Sequence, residues 1–126
     1  MNIKLLMTWF SVVSAILVLA GATFAFFGLG ILPVSKDVLL QWESAIYGAI
    51  MIGWGTTLFL AGRLAFRRND AELMKILLLG LIAWLIVEAM FSLYLGVFFN
   101  VGVDLAVLAL FGLPLIKAIR KRGQSI

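Results

Sequence analysis

The sequence predicts an all-α integral membrane protein: a four-transmembrane-helix bundle, N-in/C-in, with short loops. Three observations predict it. Hydrophobic residues make up 64% of the 126-residue chain and charged residues 13%, against about 25% charged in a soluble domain. Four apolar stretches match the roughly 20 residues needed to cross a bilayer. Laid across a membrane, those stretches leave nearly all the basic residues on one side. The length allows one membrane domain over residues 1–126.

The first span, about 5–27, carries no charge. Lys4, an apolar run and Ala20-Gly21-Ala22 together look like a signal peptide with a small-residue cleavage site. The apolar run continues through Phe24, Phe26 and Phe27, so an uncleaved span is expected. Gly28, Gly30 and Pro33 break it. Ser35 reads as an N-cap with Asp37 in the first turn, opening a helical extension over 36–44. The second span follows at about 45–64 and ends at Arg63, Arg67 and Arg68. Asn69 and Glu72 read as a capping box before the third span, about 73–94. A tight connection around Gly96 leads to the fourth, about 101–119, which Pro114 is expected to kink or end.

Basic residues set the orientation. One side holds Lys4, Arg63, Arg67, Arg68, Lys75, Lys117, Arg120, Lys121 and Arg122; the other holds only Lys36. Nine against one places both termini in the cytoplasm of a multi-pass cell-membrane protein. The basic tail also suits anionic headgroups. Basic residues that flank spans without exposed aromatics do not read as a nucleic-acid surface. Trp9 and Trp42 fit interfacial belts, whereas Trp54 and Trp84 fall deeper and are expected to pack.

The chain has no cysteine and no histidine. That removes thiol chemistry, zinc and haem ligation by those residues, and Ser-His-Asp or Cys-His catalysis. No cofactor and no metal are expected; only a hard, oxygen-bound cation would suit these side chains.

Membrane helices associate through close packing, and small residues mark where. Ala45, Ala49, Gly53, Thr57 and Ala61 recur every four residues in the second span. Ser11, Ser14, Gly21, Ala25 and Gly28 form a similar stripe in the first. Either stripe would serve the bundle itself or a homodimer seam.

Glu88 and Asp104 lie eight residues either side of Gly96, so adjacent helices carry them to similar depth. A charge in hydrocarbon is costly, and an acid there is a functional-site hypothesis. Glu43 stands at the outer mouth of the second span, and Tyr47, Ser92, Tyr94 and Asn100 offer hydrogen bonds. Asp104 also suits the positive end of its helix dipole. Nearly every internal cation is on the opposite side. At least one of Glu88 and Asp104 is therefore expected to hold a proton, or the group to bind an external cation.

Three functions follow as expectations. The first is a small transporter or small-molecule-binding membrane protein that exchanges a proton or cation, or an apolar small molecule, at the outer-side acids. The second is an accessory or scaffolding subunit of a larger membrane complex, with the small stripes as docking faces. The third is a membrane-embedded enzyme using a carboxylic acid pair on a lipid; a non-enzymatic role is favoured. The size and four-span layout are similar to those of the small multidrug resistance transporters, which use a membrane glutamate. The likeness covers architecture alone. Their essential acid lies in the first span, where this chain has none, so no residue role is carried over.

Overall fold

The computed structural model describes Leu19, Ala22, Thr23 and residues 26–124, and over these the chain is helical with no strand. Three long helices follow one another: α1 (Lys36–Arg68), α2 (Ala71–Tyr94) and α3 (Phe98–Gln124). Each is long and apolar enough to cross a bilayer, which makes this a membrane protein. The expected first span lies largely outside the described residues, as do Ser14, Gly21 and Ala25 of its stripe. The chain clusters as two units, one up to Met51 and one from Ile52.

In the first unit, Gly28 takes a left-handed φ of 72° and a single 3₁₀ turn follows at Leu29–Ile31. A side chain at Gly28 would be strained there. Helix α1 then begins at Lys36, with Asp37 in the first turn. Its 33 residues amount to about 50 Å of helix, well beyond a hydrocarbon core of about 30 Å.

The second unit is built on two matching turns. At the end of α1, Asn69 adopts φ 50°. Its N–H donates to the Phe66 carbonyl (3.2 Å), and that of Asp70 to the Ala65 carbonyl (2.9 Å). These are the two bonds of a Schellman motif with Asn in the left-handed position. At the end of α2, Gly96 adopts φ 75°. Here Gly96 N–H donates to Leu93 (3.2 Å) and Val97 N–H to Ser92 (2.8 Å). Glycine supplies the conformation without a Cβ penalty; asparagine tolerates it better than most residues.

The first of these turns corrects the capping assignment. Asn69 is not the N-cap of α2. Asp70 is, and its Oδ1 accepts from Leu73 N–H at 3.1 Å. Once Asn69 is committed to closing α1, the next residue inherits the cap. Glu72 does not reach back to close a box; it pairs with Lys75 at 2.9 Å on the exposed face. Pro114 does not end its helix either, because α3 continues ten residues beyond it to Gln124.

The three-residue connection forces α2 and α3 into an antiparallel hairpin. Its seam reads along α2 as Met74, Leu77, Leu81, Leu85 and Ser92, all buried, and along α3 as Asp104, Gly112 and Leu115, also buried. The three-four spacing keeps each set on one helical face. At Gly112 an added Cβ would meet Leu78 and Leu108 at 3.6 Å, ordinary packing contact. The second half of α1 joins this core through Trp54, Leu58, Ala61 and Ala65. Trp54 lies on Gly80, where a Cβ would sit 3.4 Å from the indole. Trp54 and Trp84 thus pack against the core, as their depth in the sequence implied, and Trp42 is exposed.

Candidate carboxylate site

Glu88 and Ser92 continue the buried face of α2, four residues apart and one turn before Gly96. Asn100 and Asp104 occupy the corresponding first two turns of α3. The hairpin brings all four together. The side-chain amide of Asn100 is the hub: its Nδ2 donates to Ser92 Oγ at 3.0 Å, Glu88 Oε1 at 3.2 Å and Asp104 Oδ2 at 3.5 Å. An amide nitrogen has two hydrogens, so three oxygens share two protons. A carboxylate offers only acceptors when ionised, which is why the nitrogen of the amide, not its oxygen, meets the two acids.

Burial sharpens this arrangement. Asp104 is 5% exposed and Ser92 8%; Glu88 and Asn100 are half-buried. The turn holds the cluster in register, because the same Ser92 whose hydroxyl accepts from Asn100 receives the Val97 N–H on its carbonyl. On one flank of Asp104 lies a groove of about 310 Å³ between α2 and α3. Leu85, Ala89, Val101, Leu105 and Leu108 are among its walls, and Asp104 adds only apolar atoms to a wholly apolar lining. Those apolar walls went unread in the sequence; their three-four spacing around Glu88 and Asp104 was the available signal.

Such a site can hold a proton on one carboxyl and pass it to water or to a partner. It can equally offer negative charge to a cation that reaches the pair. Among the described residues no group of three or more acids converges as a metal cage.

The remaining expected residues fall elsewhere. Tyr94 is 84% exposed. Glu43 and Tyr47 lie one turn apart on α1 in the first unit, Glu43 half-buried and Tyr47 exposed. Ala45, Ala49, Gly53 and Thr57 are exposed, and only Ala61 of that stripe joins the core. The face that packs is the neighbouring one carrying Trp54 and Leu58. The stripe's hydroxyl is satisfied within its own helix, as Thr57 donates to the Gly53 carbonyl at 2.9 Å.

Compared with protein-family models, with curated proteins and with solved structures, the chain matches none.

Proposed function

We propose that this protein binds a proton or a cationic, largely apolar small molecule at Glu88 and Asp104, as a small transporter or ligand-binding membrane protein. One observation carries the reading: two acids from adjacent helices share the Asn100 amide, and the buried one, Asp104, lies beside an apolar groove. Buried acids in a membrane segment are costly unless they serve a proton or ion. Exchange is then simple. A carboxyl that gives up its proton leaves the pair with the negative charge that an arriving cation needs, and the cation's departure restores the proton.

The same reading includes 5–27 as a first span and both termini in the cytoplasm of the cell membrane. The basic residues support it: Arg67, Arg68, Lys75, Lys121 and Arg122 collect at the end of the hairpin away from the acids.

The test uses the full-length protein in detergent and in proteoliposomes, with a hydrophobic quaternary ammonium as probe. Glu88→Gln and Asp104→Asn should retain helicity and weaken probe binding by about tenfold or more, the scale of one charge-assisted contact. Proton release on probe binding should vanish in both. Binding and release identical to the wild type would reject the site.

A second reading is a docking subunit, or a homodimer, joined through α1. The exposed Ala49, Gly53 and Thr57 face favours it, since a Cβ at Gly53 meets nothing within 4 Å. Gly53→Leu should then dissociate the assembly and leave probe binding by the isolated protein intact.

A further inference from the structure

We infer that the basic end of the second unit is a binding groove for one anionic phospholipid. Two adjoining cavities make it. The outer one, about 300 Å³, is lined by Phe66, Asn69, Met74, Ala118, Lys121 and Arg122. The inner one, about 200 Å³, shares Phe66 and runs along Leu58, Leu77, Leu81, Phe111 and Leu115, with Arg63 at its side. Their order along the helices is the order of a lipid. From Lys121 and Arg122 the α3 wall passes to Ala118, then Leu115 and Phe111. From Phe66 the α1 wall passes to Gly62 and Leu58. Lys121 and Arg122 come first, and apart from Arg63 the walls that follow are apolar, along about 15 Å of helix from Lys121 to Phe111.

Charge complementarity selects the occupant. Arg63, Lys121 and Arg122 line the cavities themselves. Arg67, Arg68, Lys117 and Arg120 stand exposed at the same end. The arginine cations are well fitted to a phosphate's oxygens. Arg122 is already oriented, because its guanidinium donates to the Asn69 carbonyl that closes the outer cavity. Arg63 is held over the Phe59 ring, 5.3 Å from its centroid. A zwitterionic lipid would bring its own cation to this cluster, and a free phosphate would leave the apolar part unfilled.

Gly62 makes the site testable. It lines the inner cavity, and a Cβ there would meet nothing within 4 Å. Leucine at that position enters open space and suits a helix better than glycine. It would occupy the path of the acyl chain without touching the cations.

The experiment is native mass spectrometry of the full-length protein, delipidated in detergent and titrated separately with phosphatidylglycerol and phosphatidylcholine of identical chains. One phosphatidylglycerol should bind in preference to phosphatidylcholine. Lys121→Gln with Arg122→Gln should erase most of that preference, at about fivefold for each cation removed. Gly62→Leu should weaken phosphatidylglycerol binding while leaving the cations in place. Inorganic phosphate in excess should not displace the lipid. Equal binding of the two lipids overturns the inference. So does phosphatidylglycerol binding indifferent to Gly62→Leu, which marks headgroup attraction to a basic surface without a groove. Should the double variant fail to fold, the Gly62→Leu result decides alone.

Discussion

At the Asn69 end of the α2–α3 hairpin, charge is basic and exposed; at the Gly96 end, it is acidic and largely buried. Arg67, Arg68, Lys75, Lys121 and Arg122 all keep their charged groups accessible. Asp104 and Ser92 are enclosed, with Asn100 shared among their oxygens and that of Glu88. Both ends have short connections, two residues after Arg68 and three after Tyr94. The difference lies in side-chain reach. Lysine and arginine have stems long enough to carry charge out to the headgroups. Aspartate one turn into a helix cannot reach out, so its charge must be met inside the protein. Exposure at one end and a built polar cluster at the other are two answers to one solvation problem.

The largest effect should come from erasing the charge asymmetry. With Arg67, Arg68, Lys121 and Arg122 changed to glutamine, and Val97, Phe98 and Phe99 changed to lysine, the hairpin should insert in the opposite or a mixed orientation. The chain has no cysteine, so a single Gln124→Cys reports the side of the C-terminus by its access to an impermeant maleimide. An unchanged labelling pattern would detach topology from these residues. Next in size, Asn100→Leu should destabilise the acidic end by about 1–3 kcal/mol, read as a lower thermal midpoint in detergent. A midpoint equal to that of the wild type would show that the amide does not support the cluster. Removing the cap at the basic end, Asp70→Ala, should cost about 1 kcal/mol. Glu72→Ala removes an exposed ion pair and should cost only a few tenths of a kcal/mol. Equal effects of these last two would contradict the assignment of Asp70 as the cap.

Most of the helical layout is legible in the residues. The apolar runs are long, Gly96 marks the hairpin, and the arginines mark the helix ends. The buried stripe of α2 is legible too, since Met74, Leu77, Leu81, Leu85, Glu88 and Ser92 follow three-four spacing. That pattern already sets Glu88 and Ser92 on the packing face. The three-way sharing at Asn100 was not legible, because it depends on side-chain rotamers from two helices meeting at one point. The cap of α2 was read at Asn69, and Asp70 holds it. Both types cap helices well, and only the left-handed backbone at Asn69 settles which one does. In α1 the small residues suggested the packing face, yet the large Trp54 and Leu58 took it. A glycine opposite, Gly80, supplied the room. Close approach can come from one small residue on either partner, and a stripe on one helix does not reveal which.

The brevity of the Gly96 turn also bears on how the chain is made. Glu88 and Asn100 are twelve residues apart, an interval that synthesis covers in about a second. A glutamate entering the bilayer on a nascent helix therefore waits only that long for its amide donor. A long intervening loop would leave the acid to lipid alone. The turn thus keeps both acids and the amide that donates hydrogen bonds to them within one short stretch of chain.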